Sequence, residues 1–345
     1  MEKRNPLVSV VIPVYNVEQY LRACLDSVVN QTYSFMRIII IDDGSTDSSG
    51  TICDEYKRQD RRVKVIHQKN HGLGYSRNIG INESNGEYLI FLDSDDYWRL
   101  DTIEKLVCEA EKKSLQVLVF SAKPFFDGVN QFKCVSYKQE SQNRIVKTGL
   151  DSIRYAKEHS DYYPQACLRL YRLDYVKKLG FKFDEGIIHE DENFSFVAYA
   201  HAERVECIGE TFYYRRYRAG SIMMDSNLIE SVNGFTVSII SLISQMDKRK
   251  LSFDERELYL KQLKSYVVEI LTRYREAKQA QSNITSCSKE LTLAHRISYE
   301  AASALALLCE KKVGFPWYYR LIYRNFHSIY LVWRIRTLLL PYSQT

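Results

Sequence analysis

Short apolar runs rich in β-branched residues recur through the first 120 residues, and each is followed by a stretch of helical periodicity. Residues 8–14 (VSVVIPV), 37–41 (RIIII), 63–67, 88–92 (YLIFL) and 117–120 are the runs. They are nearly unbroken, as strands buried on both faces are, where a half-exposed strand would alternate. Between them, Leu21, Cys24, Leu25 and Val28 recur at helical steps, and 45–58, 74–84 and 101–113 read as further helices. A β-α-β-α rhythm leaves few folds open. It predicts an α/β, doubly wound and mostly parallel sheet flanked by helices.

In such a sheet, ligands bind at the carboxyl ends of the strands. That rule gathers four loops into one candidate site: Tyr15-Asn16 after the first strand, Asp42-Asp43-Gly44-Ser45 after the second, a basic, glycine-containing stretch after the third, and Asp93-Ser94-Asp95-Asp96 after the fourth. Five carboxylates on one rim repel one another unless a cation or a set of donors sits among them. A divalent metal carrying a polyphosphate is the simplest neutraliser, because hard cations choose oxygen ligands. Asp-Asp-Gly-Ser before a helix is also ordinary turn and cap chemistry. Its pairing with Asp-Ser-Asp at the strand ends of one sheet favours a ligand. The stretch Gly72–Arg77 (GLGYSR) lacks the third glycine of the dinucleotide fingerprint and follows the wrong strand, and no G-x-x-x-x-G-K-[ST] loop is present. Nicotinamide dehydrogenases and P-loop nucleotidases are therefore disfavoured.

Together, Val10-Val11-Ile12-Pro13-Val14-Tyr15-Asn16, Ile41-Asp42-Asp43-Gly44-Ser45-Thr46-Asp47, Gly72 with Ser76-Arg77-Asn78-x-Gly80, and Phe91-Leu92-Asp93-Ser94-Asp95-Asp96 closely resemble the family 2 inverting glycosyltransferases of GT-A fold. Further on, His189-Glu190-Asp191-Glu192 resembles that family's Glu-Asp motif. Tyr213-Tyr214-Arg215-Arg216 with Gly220-Ser221-Ile222 resembles its flexible segment that closes over the donor diphosphate. The resemblance covers about residues 6–225 and is nearest to bacterial enzymes that build capsule or O-antigen.

The resemblance implies roles. Pro13, Tyr15 and Asn16 lie beside the nucleotide, and one carboxylate of the Asp42–Asp43 pair accepts the uracil N–H. Gly72 lets the backbone approach, and Arg77 is a cation near base and diphosphate. Asp93, with Ser94, faces the ribose, while Asp95, with Asp93, holds Mn²⁺ or Mg²⁺. Arg215 and Ser221 meet the diphosphate. Asp191 is the general base that takes the acceptor hydroxyl's proton, with Glu190 orienting it. Relatives often carry Trp-Asn-Lys-Leu-Tyr ahead of the Glu-Asp motif; here Ala166-Cys167-Leu168-Arg169-Leu170-Tyr171 lacks the Trp and Asn.

The implied architecture is a catalytic GT-A domain over 1–225, nucleotide-binding to about 120 and acceptor-binding to 225, then a helical region over 226–345. There Ile229, Val232, Ile239, Ile240 and Ile243 recur at helical steps, as do Leu260, Leu263, Val267, Ile270, Leu271 and Tyr274. A polar linker over 279–289 and a helix near 290–310 follow. From Lys311 the tail holds six basic and no acidic residues, so it exceeds the whole chain's net charge of +5. Its mixture of Arg with Trp, Tyr, Phe and Leu, and no charge-free run long enough to span a bilayer, suits a helix lying in a membrane interface. A terminal helix docked on its own protein or in a homodimer is the plainer reading.

The eight cysteines are scattered without C-x-x-C or zinc spacing, and no signal-peptide pattern stands at the start. The expectation is a reduced, cytoplasmic enzyme peripheral to the inner face of the plasma membrane. It would move one sugar from a nucleotide donor, a UDP-sugar, to a lipid-linked oligosaccharide. A silent scaffold in a polysaccharide-assembly complex and a two-carboxylate glycoside hydrolase are the alternatives. A nucleic-acid binder would need a second basic stripe that the near-neutral body lacks.

Overall fold

The computed structural model describes residues 5–130, 135, 137–138, 144–221 and 228–281. These fall into two compact units, one within 1–186 and 190–225, the other taking 187–189 and residues from 226 onward.

The first unit is built on an eight-stranded sheet of order β3-β2-β1-β4-β7-β6-β8-β5. β1 (Val8–Val14), β2 (Met36–Asp42), β3 (Val63–His67) and β4 (Tyr88–Phe91) run parallel, with Val14 paired to Asp42 at the carboxyl end. Every residue of β1 and β4 is buried, because α1 (Glu18–Val29), α2 (Ser49–Gln59), α3 (Leu73–Glu83) and α4 (Thr102–Lys113) cover the sheet. These are the apolar runs and helical stretches of the sequence, shifted by a residue or two. α2 is the exception, beginning at Ser49 because residues 43–48 form a hydrogen-bonded loop.

Beyond β4 the sheet departs from simple alternation. β5 (Tyr97–Trp98) and β6 (Val117–Phe126) precede α5 (Gly149–Glu158). A 3₁₀ turn (Ala166–Leu168) leads into β7 (Arg169–Arg172), which inserts antiparallel between β4 and β6. α6 (Leu173–Leu179), α7 (Asp191–Ala200) and β8 (Val205–Tyr217) complete the unit.

Residues 213–217, expected in a flexible closing segment, are regular strand, in register with β6 out to Phe126↔Tyr217 and with β5 at Tyr97↔Tyr214. Asp96 fixes them further, accepting hydrogen bonds from the Tyr213 hydroxyl and the Arg216 N–H, both at 2.6 Å. Ser221 lies just past the strand, and Ile222 is outside the described residues.

In the second unit, α8 (Leu228–Lys248) and α9 (Phe253–Gln281) pack on each other. Val232, Ile239 and Ile243 are buried, as are Leu263, Val267 and Ile270, while Leu260 is half-buried and Tyr259 takes its inward place. No described helix is long and apolar enough to cross a membrane. α9 runs into the expected linker, and the rest of that linker, the helix near 290–310 and the basic tail lie outside the described residues.

Candidate active site

The carboxyl-end loops interlock through hydrogen bonds. Asn16 adopts a left-handed backbone (φ +49°). Its side-chain Oδ1 accepts from Thr46 N–H at 2.8 Å, and its own N–H donates to Ser45 Oγ at 3.1 Å. The turn after β1 is thereby locked to the loop after β2. Tyr15 beside it is exposed, whereas Pro13 is buried inside β1.

Asp42 and Asp43 are both buried but differently employed. Asp42 accepts from Ser45 N–H at 3.1 Å and pairs with His67 Nδ1 at 2.7 Å. That bond raises the His67 pKa above its ordinary value, with Asp54 on the other ring nitrogen helping. Asp43 accepts from Gln68 Nε2 (2.7 Å), His71 N–H (2.9 Å) and Gly72 N–H (2.8 Å), so it organises the loop after β3. Gly72 needs to be glycine there because its φ is +90°.

Arg77, on α3, is 2% exposed. Its Nη2 donates to Asp93 Oδ1 at 2.7 Å, and its Nη1 donates to Glu190. The guanidinium fork thus ties the acidic loop after β4 to the residue that leads into α7, with the Phe183 ring beneath it. Burial opposes the Arg77 charge, but Asp93, Glu190 and Asp191 outweigh it and raise its pKa. Burial pushes the Glu190 carboxyl up to about 7 despite Arg77, and the neighbouring Asp191 charge adds to the rise. Asp191, half-buried at the start of α7, is also raised by burial, with Arg77 pulling it down and Asp93 pushing it up.

The acidic loop itself is a turn, closed by Asp96 N–H to Asp93 C=O at 3.0 Å. Ser94 is buried in it. Asp95 Oδ2 accepts from Arg218 Nε at 2.9 Å, and Arg216 Nε donates to the Asp95 carbonyl at 2.7 Å. Burial raises the Asp95 pKa against Arg218, and Asp93 adds to the rise.

Most of the five rim carboxylates are therefore neutralised by protein donors. Among the described residues, the side-chain donors on these carboxylates are Arg77 on Asp93 Oδ1 and Arg218 on Asp95 Oδ2, with none on Asp93 Oδ2 or Asp95 Oδ1. No described group of three or more His, Cys, Asp or Glu could hold a metal alone, so any ion here would need ligand oxygens. Mg²⁺ is commonly held that way, by one or two carboxylates plus phosphates.

Of the sequence-expected residues, hydrogen bonds of the rim loops engage Asn16, Asp42, Asp43, Gly72, Arg77, Asp93 and Glu190, Asp95 is held by Arg216 and Arg218, and Asp191 follows Glu190 in sequence. None of these contacts includes Tyr15 or Ser221. His67, Gln68 and Asp96 were not singled out individually. Their signal was position alone, at the carboxyl ends of β3 and β4.

The glycine after Leu73 shows how closely α3 meets this region. A Cβ on Gly74 would run into the Asp184 carbonyl oxygen and stand 3.2 Å from Glu190 Cβ. Gly74→Ala should therefore cost about 1–3 kcal/mol by overpacking, read as a lower Tm, with a weaker Arg77–Glu190 tie.

Known proteins bear on this geometry. The model of glycosyl transferase family 2 matches residues 9–180. Glycosyltransferase EpsJ of Bacillus subtilis is 34% identical over 219 residues, 63% of each chain, so the match spans less than two thirds of EpsJ. Glycosyltransferase GlyG of Streptococcus pneumoniae is 32% identical over 223 residues, 64% of this chain and 73% of GlyG. The fold is similar to that of S. aureus TarS 1–349, solved in complex with UDP-GlcNAc, with a TM-score of 0.65 at 20% identity over 95% of this chain and 92% of that one. With about a third of the aligned residues identical across most of GlyG and a fold similar to that of TarS, the chain belongs to glycosyl transferase family 2 and has the GT-A fold.

Proposed function

We propose that this enzyme transfers a single sugar from a UDP-activated donor, with inversion, to a hydroxyl of a lipid-linked oligosaccharide in bacterial surface polysaccharide biosynthesis, O-antigen or capsule. The observation that carries the reading is the Arg77 fork. It joins Asp93, which this reading puts on the donor side, and Glu190, next to Asp191, through one buried cation. An inverting transfer needs that relation, with the leaving diphosphate held on one side and a carboxylate base on the other. TarS, named above with UDP-GlcNAc, supports the uridine donor.

In this reading Tyr15, Asn16 and one of Asp42 and Asp43 hold the base, and Gly72 permits its approach. Asp93 and Ser94 meet the ribose. Asp95, with Asp93, holds Mn²⁺ or Mg²⁺ through the two oxygens that no side chain engages. When bound, the ion supplies Lewis-acid stabilisation of the departing diphosphate. Arg215 and Ser221 hold the diphosphate, and Asp191 accepts the acceptor's proton while Glu190 orients it. The work is done at the cytoplasmic face of the membrane, with the basic tail as the contact.

Thermal unfolding of the whole protein with UDP, GDP, CDP or dTDP, each with and without Mn²⁺, tests the donor site. A ligand that binds only the native state at about 100 times its Kd adds about 2.7 kcal/mol. A metal-dependent rise in Tm with UDP is expected. A rise with another nucleotide alone would replace the donor class, and no rise with any would move the assignment to a silent scaffold.

A further inference from the structure

Arg215 and Arg216 at the end of β8 and Arg218 just beyond it lie within four residues, and the structure employs them differently. Arg216 gives its Nε to the Asp95 carbonyl and its Nη1 to Asp127. Arg218 gives its Nε to the Asp95 carboxylate. Both stack on Tyr20, at 4.8 and 4.7 Å. Arg215 precedes Arg216 in the strand, so alternation turns it to the other face. There its guanidinium lies over the ring of Tyr137, 5.0 Å from the centroid. Its Nη1 is shielded from water and has no hydrogen-bond partner among the described residues. Burial opposes the Arg215 charge, and the Asp96 and Asp93 carboxylates help to hold it. Arg215 in turn acts on Asp191.

Tyr137 is itself held from three sides. It is 1% exposed. Its carbonyl accepts from Ala122 N–H of β6 at 2.9 Å, its hydroxyl lies 3.2 Å from that of Tyr217 in β8, and its ring meets Tyr163 edge-on at 5.4 Å. A flat aromatic face fixed in this way attracts a guanidinium and restricts its tilt while leaving its edge N–H groups for other partners. We propose that Tyr137 is a positioning residue for the transfer reaction. Its ring fixes Arg215 so that the unpartnered guanidinium edge meets the diphosphate of the donor. The inference rests on the donor reading above and adds to it the residue that aims the cation.

The test compares UDP with uridine, which shares the base and ribose but lacks the diphosphate, by calorimetry on the whole protein with Mn²⁺. Tyr137→Phe keeps the ring and should bind UDP as the wild type does. Tyr137→Met keeps the bulk but not the π face, and should weaken UDP by about ten-fold with uridine unchanged. Arg215→Gln should show the same UDP-selective loss, and the double variant Arg215→Gln with Tyr137→Met should lose little more, since the two act as one unit.

Equal weakening of UDP and uridine in Tyr137→Met, or additive losses in the double variant, would overturn the inference. So would unchanged UDP binding in Tyr137→Met while the wild type binds normally. A Tyr137→Met chain that fails to fold leaves the decision to Arg215→Gln, whose failure to distinguish UDP from uridine would also overturn it. A wild type that binds no nucleotide would overturn the donor reading, and this inference with it.

Discussion

Asp191→Asn should lower sugar transfer by about 10²–10⁴-fold while UDP binding stays at the wild-type level. The amide matches the carboxylate in size, so α7 should keep its first turn and Glu190 its place on Arg77. It cannot accept a proton, and a hydroxyl that keeps its proton is a poor nucleophile at the anomeric carbon. The pH profile provides a second reading. Burial raises the Asp191 pKa above the ordinary carboxylate value, and the Asp93 charge helps against Arg77. The active base is the ionised form, so wild-type activity should fall as pH drops through that raised pKa, at a higher pH than an exposed aspartate would give. In Asp191→Asn this acid limb should disappear along with the rate. Initial rates of UDP release with acceptor, beside UDP affinity by calorimetry, check both parts. A variant that keeps most of its rate, or that loses UDP binding in proportion, would remove Asp191 from the role of base.

The sequence made the first half of the sheet, β1 to β4, legible because burial there is simple. β1, β2 and β4 are covered on both faces, so they appear as unbroken apolar runs, and the switch-point rule then gathers their carboxyl-end loops into one site. The other half was harder to read, for identifiable reasons. β7 is four residues with an arginine at each end, and nothing local separates Arg169-Leu-Tyr-Arg172 from a turn. Arg169 is fully buried and bonds to the Gln165 and Tyr163 carbonyls, a tertiary arrangement that residue type argues against. β8 ends in Tyr-Tyr-Arg-Arg-Tyr, whose charges suggest a solvated segment. Asp96, 117 residues from Tyr213, is what pins it into the sheet. The motif resemblance singles out Arg77 as a cation near the base and diphosphate, but composition could not say that it would be buried and shared between two acids.

That sharing sets the second large effect. Arg77→Gln should destabilise the protein by about 3–5 kcal/mol, because removing one member of a buried ionic group leaves the others uncompensated. Here two carboxylates lose their partner at once, Asp93 on the rim and Glu190 beneath it. The loss should depend on pH in a definite direction. Glu190 is raised by burial to about 7 in the native state, above its value in the unfolded chain. The native protein therefore binds this proton more readily than the unfolded chain does, and the stability that comes with it is lost as pH rises through about 7.

Without the guanidinium, Glu190 loses the main influence that lowers its pKa. The variant's deficit should then be smaller at pH 5, where Glu190 is protonated in the native state in either protein, than at pH 8, where the variant must bury its charge unaided. Adding Glu190→Gln to Arg77→Gln removes that charge and should recover part of the stability at pH 8 and little at pH 5. Urea unfolding of the three proteins at the two pH values measures all of this. A deficit equal at both pH values, or a double variant no more stable than Arg77→Gln at pH 8, would mean that Arg77 stabilises the fold by packing on Phe183 and not by holding the two halves of the site in register through their charges.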